Sequence, residues 1–468
     1  MAIIVRDRGF YRTLWALSVP IVLQNLITFG VGFSDNVMVG GLGANAIAGV
    51  FMGNQVQTLL QMFMLGIAGA MQILTAQYWG RRDTGRIRSI VAIAFRITLG
   101  ITVVLGLATA VFPAWILGLF TNDPLVVAQG VQFLKYMAFS YVFFGVSQLL
   151  VSAMRSVESV KIGMYVSIGT FVVNLFLNWV FIYGALGAPA MGVAGCALST
   201  LVARIVEAGA MVLYVGLGDR KLRMRFHDLL RFDALLRNDY FRFGLPVIAG
   251  QIVWAINNLA SSAILGRLGA EAIAATSITN MLYVLVSIVI MGLSAGVGIL
   301  TGKTVGAGEF EKMKLYAKTI QVMFLVIGLC AGAVVLLLRS PFLQIYNIDA
   351  ATRAVSLQFM AVLAVTIVGT SYQGMCLGGL VRAGGDTSFV FLNDTVFVFL
   401  TVLPSALLAA FVFHTQPWVV FACLKSDQIT KMAVAVVKIN RFKWMKNLTR
   451  GTRTEALGEV AAELELAE

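Results

Sequence analysis

The chain has 468 residues, 59% hydrophobic and 12% charged, with a formal net charge of +13 and a mean hydropathy of +0.87. A soluble domain carries about a quarter charged residues, so the composition excludes an ordinary water-soluble domain and implies lipid as solvent. The four cysteines (Cys196, Cys330, Cys376, Cys423) lie in apolar runs without paired spacing and read as packing residues, not disulfides or metal ligands.

Arg6, Arg8 and Arg12 precede an apolar segment too long for the core of a cleavable leader, so none is expected. Segments able to cross a bilayer, which takes about 20 residues, are predicted near 14–39, 46–77, 90–113, 131–154, 161–184 and 191–216. A second set follows near 241–265, 272–301, 319–338, 356–380, 388–412 and 417–437. Without water to satisfy the backbone, these twelve spans must be helices. The second and eighth exceed the bilayer and should tilt or project.

With the amino terminus in the cytoplasm, the inner segments hold 27 of the 35 Lys and Arg. Four are outer (Lys135, Arg267, Arg339, Arg353) and four lie within spans (Arg96, Arg204, Lys425, Lys431). That asymmetry orients the chain with both termini inside. The positive charge is therefore topological, and nucleic acid is not an expected partner.

Displaced by 226 positions, the sequence matches itself. Pro20 falls on Pro246, Gly43-Ala44 on Gly269-Ala270, Asn54 on Asn280, Gly66 on Gly292, Gly80 on Gly306 and Asp123 on Asp349. One residue is inserted before Arg155 meets Arg382. A repeat of six spans keeps its orientation, which predicts two six-helix lobes about a pseudo-two-fold axis along the membrane normal, with a cavity between them. The expected organisation is an amino-terminal lobe (1–216), a linker (217–242), a carboxyl-terminal lobe (243–437) and a cytoplasmic tail (438–468). Leu229, Leu230, Phe232, Leu235, Leu236 and Phe241, set among basic residues, predict a linker helix lying on the inner leaflet. The acidic end from Thr454 to Glu468 is expected to fray.

The segments PIVLQNLITFGVGFSDNVMVGGLGANAIAGV, TAQYWGRRDTGRIR, RSVESVKIGMYVSIGTFVVNLFLNWVFIYG, PAMGVAGCALST and VRAGGDTSFVFLND resemble multidrug and toxic compound extrusion proteins over roughly residues 10–450. The resemblance implies twelve helices in two lobes and export of cationic or amphipathic compounds against inward flow of Na⁺ or H⁺. No cofactor beyond that ion is implied. The expected partners are small-molecule substrates and the lipid bilayer, with the chain acting as a monomer.

Ionisable groups in lipid are functional candidates by default, and the acids within spans are Asp35, Glu207, Asp394 and Asp427. Asp35 lies about 7 Å in from Gly40 at helical rise, and the resemblance implies an aspartate here facing a cavity of the first lobe. Asn174 and Asn178, one turn apart, share a face of the fifth span. Asn178 is about 9 Å from Gly184, level with Asp35. The resemblance places a hydroxyl nearby at Thr200, and relatives often carry an acid where Asn178 stands. Carboxylate, amide oxygens and hydroxyl suit a hard cation such as Na⁺; a desolvated carboxyl can instead carry a proton. The alternative is an interfacial Asp35 beside an Asn pair that packs helices.

Asp394 enters the eleventh span and matches an acid that relatives carry in the second lobe. It can meet a cationic substrate, relay a proton, or be tied to Lys425 or Lys431. Asp427 can pair with Lys431 at i,i+4, and Glu207 with Arg204 at i,i+3. A norfloxacin-exporting branch carries a glutamate eight residues after the proline of its seventh span; here that position is Trp254. Gln251 and Trp254 are candidate cavity residues, since an aromatic face can hold an organic cation. Pro20 and Pro246 each remove a backbone hydrogen bond from equivalent spans and are candidate hinges.

GKTVGAG (302–308) lacks phosphate-loop spacing, and His227 and His414 are far apart in topology, so no enzyme is expected. The rival reading is a flippase for lipid-linked precursors, which needs free cations in its cavity. A bacterial inner membrane is the expected location.

Overall fold

The computed structural model describes residues 4–450 apart from 122, 231, 232 and 347. Among these residues eleven helices are long and apolar enough to cross a membrane. The first repeat holds α1 (Arg8–Gly40), α2 (Ala44–Gly80), α3 (Thr84–Val111), α4 (Pro124–Ser156), α5 (Val160–Tyr183) and α6 (Val193–Gly218). The second holds α7 (Ala234–Gly266), α8 (Ala270–Gly306), α9 (Phe310–Leu343), α10 (Ala350–Arg382) and α11 (Thr387–Val412). The twelfth predicted span is not one helix. It breaks at Lys425 into Pro417–Leu424 and Ser426–Asn440, together α12. Lys425 leaves helical backbone (φ −109°, ψ 4°) and its ammonium settles 4.7 Å from the Tyr283 ring centre. Ser426 Oγ donates back to the Cys423 carbonyl at 2.7 Å, closing the first segment.

The internal repeat is reproduced in where the helices begin. α7 and α8 begin and end 226 positions after α1 and α2, and α11 begins 227 after α5. The starts are set alike: Asp123 and Asp349 each cap the first turn of their helix through the carboxylate. Gly43 and Gly269 turn the chain at φ 104° and 112°, which a side chain would strain.

The first helix of each repeat packs into the other lobe. Phe10, Leu14, Leu17 and Ile21 of α1 join the core around α8, α9 and α10. Leu236, Tyr240 and Val247 of α7 join the core of the first lobe, and the Tyr240 hydroxyl donates to the Ile67 carbonyl at 2.9 Å. Two equivalent glycines permit the approach. A Cβ on Gly66 would come within 3.1 Å of Ile248, and one on Gly292 within 2.6 Å of Val22. Pro20 and Pro246 fall inside α1 and α7 beside these contacts. This clasp lies in the half of the molecule nearer the basic loops; in the other half Phe33, Val37, Trp254 and Leu259 of the same helices stand exposed.

The linker differs from expectation. It is irregular up to a short 3₁₀ turn at Phe226–Leu230, and Leu235, Leu236 and Phe241 belong to the first turns of α7. Asp233 caps α7 through the N–H groups of Leu235 and Leu236, extending the span into the linker. Phe232 lies outside the described residues, as does 454–468.

Beyond α12, residues 441–450 pack against the body. Trp444 is fully buried, leaving no room for a Cβ on Gly384. Lys446 pairs with Asp386 at 2.8 Å. Gln77 of α2 accepts from Leu448 N at 2.7 Å and donates to the Ala383 carbonyl at 3.2 Å, and Arg450 grips Asp239 with two bonds of 2.6 and 2.8 Å. Residues 441–450 thus strap the second lobe to the first across the basic face. Burial raises the Asp386 carboxyl, but hydrogen bonds from Lys438 and Lys446 outweigh it and hold the group below its ordinary value.

Candidate functional site

Each lobe carries a polar cluster built around the intramembrane acids predicted from sequence. In the first, Asn174 and Asn178 stack one turn apart on α5, both fully buried. Asn178 Nδ2 donates to Asp35 Oδ1 of α1 at 2.5 Å and lies 3.3 Å from Asn174 Oδ1. Asn174 Nδ2 reaches Thr200 Oγ1 of α6 at 3.5 Å; Thr200 in turn donates to the Cys196 carbonyl at 3.0 Å. The level of Asp35 against α5 is fixed at the helix ends, where the Tyr183 hydroxyl donates to the Met38 carbonyl at 2.8 Å. Three helices therefore bring together the four residues predicted from sequence.

Two features make this cluster chemically open. Asp35 is met by an amide rather than by a cation. The Asn178 carbonyl oxygen is buried and has no hydrogen-bond partner, a state that costs about 1–3 kcal/mol for a neutral acceptor. The Asp35 carboxylate, the Asn174 amide oxygen and the Thr200 hydroxyl are hard oxygen donors of the kind a small cation takes. The nearby Arg204 is engaged elsewhere, donating to Glu207 at 2.7 Å and lying 4.7 Å from the Phe144 ring centre.

The second cluster is closed. Lys431 Nζ sits 2.9 Å from Asp394 Oδ1 and 3.0 Å from Asp427 Oδ2. Asp427 and Lys431 side chains are each only 6% exposed, whereas Asp394 is 33% exposed. Gln428 donates to Asp427 at 3.0 Å and accepts from Gln373 at 2.9 Å. Sequence reasoning offered Lys425 and Lys431 equally as partners of Asp394; the lysine is Lys431. It did not find Gln373 and Gln428, whose only signal is an amide inside an apolar span. Thr200 and Arg204 stand 227 positions before Asp427 and Lys431, so equivalent helical positions carry the two basic residues.

Gln251 and Trp254 join neither cluster. Trp254 is 51% exposed on α7 and Gln251 half-buried. Among the described residues no group of three or more His, Cys, Asp or Glu is placed to hold a metal.

The MatE family pattern matches residues 20–180 and again 246–408, one match in each repeat. The chain belongs to the MatE family. As a MatE protein it is a multi-pass membrane transporter with twelve spans in two lobes. Its relatives include the multidrug resistance protein MdtK of Yersinia pseudotuberculosis, 26% identical with 93% of this chain and 95% of the relative covered. MdtK of Edwardsiella ictaluri is 23% identical over the same shares of each chain. In fold, the MatE chain is similar to the Vibrio cholerae MATE transporter VcmN, with a TM-score of 0.84, 14% identity and coverage of 93% and 98%. A multidrug resistance MATE transporter solved in an outward-facing conformation gives a TM-score of 0.81 at 17% identity, covering 92% and 96%.

Proposed function

We propose that this MatE protein is a secondary antiporter that exports small organic compounds, cationic or amphipathic, in exchange for H⁺ or Na⁺ by alternating access. The observation that carries the reading is the Asp35 carboxylate, met by the Asn178 amide nitrogen and by no cation at ion-pair distance among the described residues. An acid so placed takes up a cation without first losing an ionic partner. Asn174 and Thr200 complete the oxygen set, and Asn178 positions the carboxylate. The names of the MdtK relatives support multidrug compounds as the substrate class.

The second cluster takes a different part. Asp394, the most exposed member of its triad, is where an organic cation or a proton competes with Lys431 for a carboxylate, with Asp427 holding the lysine in place. Gln251 and Trp254 are assigned to the wall of the substrate path, and Pro20 and Pro246 to the bend that opens the clasp. Binding on one face then alternates with release on the other as the glycine contacts of α1 with α8 and of α7 with α2 separate. A flippase for lipid-linked precursors needs cations free to meet diphosphate; within the two clusters, Arg204 and Lys431 are both taken by carboxylates. The protein is placed in a bacterial inner membrane as a monomer, with both termini cytoplasmic.

The test is efflux of an ethidium-type dye from cells with imposed Na⁺ or pH gradients. Gradient-driven efflux is expected from the wild type and its loss in Asp35→Asn. Unchanged efflux in that variant contradicts the role assigned to Asp35.

A further inference from the structure

On the basic face, away from both clusters, a cavity of about 680 Å³ opens between α1, the start of α5, the linker and the end of α8. Four cations line it: Arg12, Lys161, Lys221 and Lys303. Two are committed. Lys303 pairs with Glu158 at 2.8 Å, while Lys221 donates to the carbonyls of Val157 and Glu158 at 2.8 and 2.9 Å. Arg12 and Lys161 form no ion pair or hydrogen bond among the described residues.

The acids around the cavity are also engaged. Glu158 accepts from Lys303 and from the Trp79 indole. Asp219 accepts the N–H groups of Lys221, Leu222 and Arg223, and Asp7 accepts that of Gly9. Four cations against the one lining acid leave the cavity strongly positive. At its wall, Ser159 gives α5 no side-chain cap, so the first N–H groups of that helix add to the positive field. Burial pulls the Lys221 ammonium below its ordinary value, with Glu158 opposing it.

We propose that this cavity binds a phosphate group, held by Arg12 and Lys161 with Lys303 and Lys221 beside it. The Lys303–Glu158 pair joins the two repeats at the basic ends of their helices, so an anion seated there braces the clasp in its closed form. Its place at the start of two spans fits the headgroup of an anionic phospholipid; a soluble phosphate has the same recognition chemistry. The inference stands apart from the transport reading, since none of its residues belongs to either intramembrane cluster.

The experiment is native mass spectrometry of the full chain in detergent supplied with equal phosphatidylglycerol and phosphatidylcholine. A parallel arm follows thermal stability against inorganic phosphate. The wild type is expected to retain phosphatidylglycerol preferentially, with the preference falling on the order of tenfold in Arg12→Gln/Lys161→Gln. Both side chains are exposed, and Lys312→Gln/Lys314→Gln, an equal loss of charge elsewhere on the same face, is expected to leave the preference intact. Stabilisation by inorganic phosphate that needs Arg12 and Lys161 supports the site with a soluble ligand; phosphatidylglycerol retention alone supports it with a lipid. Retention equal in wild type and Arg12→Gln/Lys161→Gln, with no phosphate effect, overturns it.

Discussion

The two lobes are built from one repeat, yet their buried charges are handled in opposite ways. In the first, the cation Arg204 turns to Glu207, and Asp35 is left to Asn178 and Asn174. In the second, the equivalent cation Lys431 lies between Asp394 and Asp427 and satisfies both. The same scaffold thus holds one carboxylate in waiting, Asp35, and three already occupied, Glu207, Asp394 and Asp427. The difference arises from a few side chains: Thr200 stands where Asp427 does, so the first lobe lacks the acid that would hold its cation at that turn.

The largest test of this contrast is Lys431→Met. Removing the shared cation leaves two carboxylates in a sparsely hydrated site, and breaking such a pair costs about 3–5 kcal/mol. A marked drop in thermal stability is expected, partly restored by adding Asp427→Asn. Asp35→Asn, which removes a charge without a cationic partner, is expected to leave stability nearly unchanged. Equal losses in both variants would mean that Asp35 is as structurally committed as the triad.

The clasp sharpens the comparison from the other side, because there the lobes are alike. Gly66→Leu and Gly292→Leu each force a side chain into a helix contact, an overpacking that costs about 1–3 kcal/mol. Similar losses of stability and of dye efflux are expected from both. A penalty confined to one would show that the repeat is symmetric in form but not in load.

The smallest effect belongs to the strap. Asp386 is held below its ordinary value of 3.8, so its pairing stabilises the fold at pH values above that figure. The contribution is lost as pH falls through the lowered value. Thermal stability should therefore fall on acidification below about pH 4, by less in Lys438→Gln/Lys446→Gln, which lacks the partners.

Much of this was legible in the sequence, for physical reasons. Lipid leaves the backbone no choice but helix, so the spans follow from composition. Rise per residue set Asn178 level with Asp35, and the 2.5 Å contact follows that register. Rotation about helix axes was less legible. The break at Lys425 resets the phase of α12, so spacing could not separate Lys425 from Lys431 as the partner of Asp394. α10 widens into π-helical turns at Gly374–Arg382, and α11 at Val398–Val402, moving faces that a regular period would have placed. The strap was hidden because its anchors, Gln77, Asp239 and Gly384, are distant in sequence from Trp444, Lys446 and Arg450.

Cation release on binding of an ethidium-type dye by purified protein tests the central claim most directly. Proton release would be read in weak buffer, with Na⁺ displacement followed in parallel. The account predicts release of H⁺ or Na⁺ from the wild type and from Lys431→Met/Asp427→Asn, and none from Asp35→Asn. Undiminished release from Asp35→Asn, with loss only when the Lys431 triad is altered, would contradict it.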